Sequence, residues 1–269
     1  MTRALPPALL LSLAALLSLA TLWSCGNDAS TEVAADEAPV EAPAAITIEP
    51  KDPGTDYPDA HLTNFVYDGG TFTYGYEADT YELGAQTPDA GGTTCANSAK
   101  GQHIHLIVDN EPYIAKYEPT FEQAIADGDH RILTFLSRSY HESIKTPQAY
   151  RAVNASVSGG AFTSQEPITE PMLFYSRPKG TYVGADAETI LLDFYPVNLE
   201  LGDDYAVRVD VGDFTATLTE WRPYLLKGLP MGENTVTLTL VDGAGQTVDA
   251  PLNPVSRTFT LEPDPMPES

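Results

Sequence analysis

TFTYGYEADTYELG (residues 71–84) aligns without gaps onto TILLDFYPVNLELG (189–202), and both runs end in Glu-Leu-Gly. Each opens on β-branched and aromatic residues, the composition of a β-strand. Further along, GDHRILTFL (128–136) aligns onto GENTVTLTL (232–240). The first pair is offset by 118 residues and the second by 104, so the first copy holds 14 more residues between these landmarks. AQTPDAGGTTCANSAK (85–100), which has no apolar periodicity, accounts for much of that surplus.

HIHLIVD (103–109) and YAVRVDV (205–211) are further strand-like runs, and DGG, DGD, GENT and DGAG supply turns between many of them. The spacing of Phe121, Ala124 and Ile125 predicts a helical turn in EPTFEQAIAD (118–127). Otherwise the pattern predicts an all-β chain of two tandem immunoglobulin-like β-sandwich domains, residues 61–164 and 165–262.

The chain opens MTRALPPALLLSLAALLSLATLWSC: one basic residue, a short apolar run and a small residue before a cysteine. That is the layout of an export signal, and it resembles a bacterial lipoprotein signal over residues 1–24 with Cys25 as the lipid-bearing residue. Residues 25–60, rich in Ala, Glu, Asp, Pro and Thr, are predicted to be a disordered acidic tether, and 263–269 a tail. The expected place is the cell envelope, as an outer-membrane lipoprotein facing either the periplasm or the exterior.

With 38 Asp and Glu against 14 Lys and Arg, the formal net charge is −24, which argues against nucleic-acid partners. Expected partners are the membrane, through the lipid on Cys25, and a small anion, a metal or an envelope protein. The remaining cysteine, Cys95, then has no intrachain partner. No Gly-x-Ser-x-Gly elbow, phosphate loop, dinucleotide fingerprint or His-Glu-x-x-His helix occurs, so the sequence points to a binding module and not an enzyme.

All five histidines lie in or beside the first copy, and His130 aligns with Asn234, so the scaffold itself does not require them. On a strand, His103 and His105 project from one face about 7 Å apart, while Ile104, Leu106 and Val108 take the core face. Two parallel imidazoles can offer lone pairs to Zn²⁺ or Cu²⁺. His103 and His105 are therefore candidate metal ligands, with His130 and His141 supporting. Residues 100–151 also hold six of the basic side chains against seven acids, a local balance of −1. An alternative site for a phosphate, sulfate or carboxylate follows: Lys100, Arg131, Ser137, Arg138, Ser139, His141 and Lys145. A purely structural envelope role is the third reading.

YELGAQT, KGQHIHLIVDNEPYIAKYEP and ILTFLSRSYHESIK, within residues 65–155, resemble Bacteroidota-type lipoproteins labelled "phosphopeptide-binding protein". Ser137-Arg138-Ser139-Tyr140-His141 is similar, with one extra residue, to the Ser-Arg-x-His run of forkhead-associated domains. That resemblance implies phosphopeptide recognition on a β-sandwich. Gly101, His103, His105, Gly128, Asp129, His130 and His141 also resemble a Gly-x-His-x-His pattern of small exported bacterial domains, which implies that the four histidines share one site.

Overall fold

The computed structural model describes residues 45–265, which form β-strands joined by turns, loops and two short 3-10 segments. The signal segment, Cys25, the first part of the tether and the last residues of the tail lie outside the described residues. Strand β1 (Thr47–Pro50) comes first. The first sandwich takes β2 (His61–Asp68), β3 (Thr71–Glu77), β4 (His103–Val108), β5 (Ile114–Lys116), β6 (Thr120–Glu122), β7 (Gly128–Ser137), β8 (Tyr150–Ser158) and β9 (Ala161–Pro167). The second takes β10 (Met172–Arg177), β11 (Gly180–Val183), β12 (Thr189–Val197), β13 (Tyr205–Val211), β14 (Phe214–Leu218), β15 (Tyr224–Lys227), β16 (Gly232–Asp242) and β17 (Val255–Glu262).

The sheets run β2-β3-β6 and β5-β4-β7-β8-β9 in the first sandwich, and β10-β12-β15 (with β1 outside β15) and β14-β13-β16-β17-β11 in the second. The two orders match except at their edges: β3 corresponds to β12, β4 to β13 and β7 to β16, whereas β9 runs antiparallel to β8 and β11, from early in the second sandwich, runs parallel to β17. The aligned sequence runs therefore fall on equivalent strands. Register agrees as well, since Ile104 pairs with Leu136 and Val207 pairs with Leu240. The inner faces supply the two cores. Leu62, Phe72, Ile104, Leu106, Ile132 and Leu136 are buried in the first, and Ile190, Leu192, Phe194, Val207, Val209 and Leu238 in the second.

Two expectations are corrected. EPTFEQAIAD does not form a helical turn: Thr120–Glu122 is an edge strand on β3, with Phe121 packed on Phe72 at 5.6 Å. Pairing to an existing sheet edge outweighs the weak local periodicity there. Nor does the tether reach residue 60. Thr47–Pro50 pairs with Lys227–Tyr224 of the second sandwich, Ile48 packs on that core, and Tyr57 and Ala60 are buried. The short ITIEP alternation suffices for an edge strand once β15 offers a partner.

A third apolar cluster joins the sandwiches. Ile107, Tyr113, Leu133 and Phe135, on the outer face of the β4-β7 sheet, pack against Ile168, Met172, Phe174, Tyr195 and Val197. As a result every residue of β10 and nearly every residue of β4 and β12 is buried, on both faces of the sheet. Polar ties reinforce the seam. The Asn110 amide donates to Leu173 O and accepts from Tyr175 N, both at 2.8 Å. Buried Asp193 accepts from Ser143 Oγ at 2.9 Å and pairs with Lys145 at 2.6 Å.

A seam of this kind is expected to make the two sandwiches unfold together. Phe174→Ala should lower stability by about 3–5 kcal/mol in one urea transition that near- and far-UV dichroism report alike. Two separate transitions, only one of them moved, would show independent domains.

Candidate metal centre

His103 and His105 lie on the outer face of β4, as their spacing predicts, and this face is roofed rather than solvated. Both are fully buried. Tyr113, from the turn before β5, stacks on His105 with ring centroids 3.7 Å apart and planes 7° apart. Phe135 borders His105 at 4.8 Å, and Tyr117 borders His103 at 5.0 Å.

The third histidine arrives on the turn after β7. His141 N donates to Arg138 O and Arg138 N to Glu142 O, which places His141 at φ 67°, in the left-handed region. The second sandwich builds the same turn: Gly245 N donates to Asp242 O, Asp242 N to Gln246 O, and the left-handed place is Gly245 at φ 77°. Glycine is the residue this conformation favours, and a β-carbon there costs on the order of 1 kcal/mol. His141 thus occupies a glycine position of the scaffold. Its turn is held by Glu142, which is buried and accepts from Lys51 at 2.7 Å, Gly54 N at 3.0 Å and Arg138 at 3.2 Å.

The three imidazoles converge. His103 Nε2 lies 2.8 Å from His105 Nε2 and 2.9 Å from His141 Nδ1, and one ligand nitrogen from each ring fits within 4.8 Å of the others. Zn–N bonds of 2.0–2.1 Å in a tetrahedron put ligand nitrogens about 3.3 Å apart, so small ring movements would admit an ion. His103 Nδ1 donates to Gly101 O at 2.8 Å, which turns the Nε2 lone pair toward its neighbours. Gly101 itself is required. At φ 85°, an added Cβ would lie 2.3 Å from Gly84 O.

Burial pushes the pKa of all three rings down. That of His103 falls to about 4, and those of His105 and His141 lie well below the usual histidine value. Arg177 and Lys179, from the second sandwich, add to the shift on all three. The rings are therefore neutral at pH 7, the form that ligates metal. The arrangement is poor as a purely structural network. One lone pair on His103 Nε2 faces two ring nitrogens, and buried His105 Nδ1 has no partner. A cation would accept all three lone pairs at once.

His130 is not part of this group. It sits near the start of β7, where its ring meets Asp109 Oδ2 at 2.7 Å and Ala126 O at 2.9 Å. Burial lowers its pKa, but these two acceptors outweigh burial and raise it. Both nitrogens serve as donors in a clamp. Cys95 is buried against Tyr140 and Leu191, and burial raises its thiol pKa.

The anion-site residues do not converge either. Arg138 spends its guanidinium on Glu142, Thr55 O, Ser143 O and Gly54 O, and is buried. Ser137 Oγ donates to Arg138 O, Ser139 Oγ accepts from Thr87 N, and Lys145 pairs with Asp193. Arg131 faces Glu170 at 3.6 Å, and Lys100 lies over the Tyr117 ring. In so acidic a chain the basic groups of this segment have found internal partners.

Three residues at the site escaped the sequence reading: Tyr113, Arg177 and Lys179. Tyr113 OH lies 3.2 Å from His141 Nδ1 and accepts from Arg177 Nη1 at 2.7 Å. Lys179 Nζ donates to Tyr113 O at 2.7 Å and lies 3.9 Å above its ring. The only signal was SRPKG (176–180), a basic turn in the copy that lacks histidine.

No protein-family model matches the chain, and no curated protein matches it. Among solved structures it is similar to fibronectin(III)-like modules of Clostridium thermocellum CbhA, at 13% identity and TM-score 0.28, covering 35% of this chain and 100% of that one. It is also similar to a Ca²⁺-stabilized adhesin with which an Antarctic bacterium binds ice, at 13% identity and TM-score 0.24, covering 73% of this chain and 44% of that one. A third is domains 4 and 5 of the S-layer protein SbsC, at 9% identity and TM-score 0.21, covering 81% and 98%. These likenesses concern fold alone.

Two outcomes are expected. His103 has a lower pKa folded than unfolded, so between about pH 6.5 and 4 the unfolded chain binds more protons. Metal-free protein should then hold its full stability above about pH 6.5 and lose on the order of 3 kcal/mol from His103 alone as pH falls to about 4, as followed by urea melts across that range. His141→Gly should leave the metal-free melting temperature unchanged or slightly higher, because the turn gains its favoured residue.

Proposed function

We propose that this chain is a lipid-anchored, exported binding module that holds one divalent transition-metal ion, Zn²⁺ or Cu²⁺, between its two sandwiches. His103 and His105 supply two ligands from β4 and His141 a third from the following turn. The observation that carries this reading is the convergence of three imidazole nitrogens in one sandwich, two on buried rings and one on a half-buried ring displayed from a turn position where the sister sandwich has glycine. Imidazole donors suit Zn²⁺ and Cu²⁺ better than Ca²⁺ or Mg²⁺. The signal-like start ending at Cys25 supports the membrane anchor and an envelope location. The likeness of residues 65–155 to Bacteroidota lipoproteins supports the same setting. The phosphopeptide alternative fares worse, since Arg138, its central residue, is buried and fully engaged.

Purified full-length protein in detergent, titrated calorimetrically with Zn²⁺ and with Cu²⁺, should bind one ion per chain. His103→Ala/His105→Ala should weaken binding at least 100-fold, whereas His130→Ala should leave it unchanged. Equal affinity in the double variant would overturn the assignment.

A further inference from the structure

We infer that the Tyr113 oxygen is the fourth ligand of the ion held by His103, His105 and His141, with Arg177 as the counter-cation of the bound phenolate. The inference rests on the metal reading above and adds a residue of another chemical type to it.

Position comes first. Tyr113 OH lies 3.2 Å from His141 Nδ1, close to the roughly 3.3 Å that separates two ligands of a tetrahedral ion with bonds near 2.0–2.1 Å. Its ring lies parallel to that of His105 at 3.7 Å, so the oxygen sits about one ring thickness off the imidazole plane and reaches an ion on His105 by a tilt of the phenol. His141 Nδ1 is thus flanked by His103 Nε2 at 2.9 Å on one side and by Tyr113 OH on the other.

Charge is the second argument. Arg177 is buried, yet among the described residues its side chain hydrogen-bonds the Tyr113 hydroxyl alone, and its Nε has no partner there. Among the described residues no carboxylate pairs with Arg177 or Lys179. A guanidinium taken out of water without an anion is costly. A divalent ion on three neutral imidazoles would add two further positive charges beside it. One phenolate offsets part of that excess and gives Arg177 the anion it lacks. Without metal, burial keeps the phenol protonated and raises its pKa to about 12.

The step is a ligand exchange. The Tyr113 O–H bond would break and the Oη–metal bond form as a water brought in with the ion leaves, the proton passing to solvent while the ion keeps its charge. Tyr117 serves as a control, because it borders His103 but its hydroxyl is engaged with Ser98 Oγ at 2.8 Å.

The test is the optical and resonance Raman spectrum of full-length protein loaded with Cu²⁺. A phenolate-to-copper charge-transfer band with enhanced tyrosinate ring modes is expected in the wild type and in Tyr117→Phe. Tyr113→Phe should lose the band, keep one Cu²⁺ per chain on the histidines, and bind it roughly tenfold or more weakly. Copper bound through the histidines with no such band in the wild type would overturn the Tyr113 assignment and leave the three-histidine reading standing. Binding that ignores His103→Ala/His105→Ala would overturn both. If Tyr113→Phe does not fold, the wild-type spectrum still decides.

Discussion

The outer face of the first sandwich is not a surface. Leu133, Phe135 and Ile107 need cover, and the second sandwich provides it through Met172, Phe174, Tyr195 and Val197. Everything distinctive about the candidate site follows from that cover. It seals Tyr113 and Phe135 over His105, and burial lowers the pKa of the histidine rings. It also brings Arg177 and Lys179 across from the other sandwich. Tyr113 and Phe135, which border His105, are themselves covered by the second sandwich, and the histidines become donors in a closed, low-dielectric space.

How much of this could be read in the sequence depends on which face is asked about. The inner faces alternate as a half-buried strand should, and the alignments of 71–84 with 189–202 and of 128–136 with 232–240 pair equivalent strands. The outer face is legible too, position by position between the copies. RILTFL places Leu133 and Phe135 where TVTLTL places Thr237 and Thr239. An apolar outer face in one copy and a polar one in the other marks the copy that is covered. What no strand pattern could supply was the identity of the cover. The contacts of Asn110 with Leu173 and Tyr175, and of Tyr113 with Arg177, join residues 63 to 65 positions apart.

The histidines divide for equally local reasons. Grouping four of them from sequence joined His130 to a site at the far end of its own strand. A β-strand advances about 3.3 Å per residue, so His130 and Ser137, at opposite ends of β7, are separated by roughly 23 Å. His141 escapes that limit because the turn after β7 folds back beside β4, where Ser137 pairs with His103. Reach along a strand, more than residue type, decides membership of the site.

Duplication supplies the last step, because the second sandwich shows what the scaffold does when no site is built on it. Register places Ala206 and Arg208 where the first copy has His103 and His105, and Gly245 where it has His141. The three differences are independent, two on a strand and one in a turn, and their side chains meet at one point. The turn is the most telling of the three. Histidine on a strand face costs the fold little once it is covered, whereas a β-carbon at a left-handed position works against folding. Among the described residues, the less stable residue there lies in one cluster with an unpartnered His105 Nδ1 and with an Arg177 that has tyrosines but no carboxylate beside it. A phenolate on a bound cation would give Arg177 an anion, and the cation makes use of the histidine in the left-handed turn.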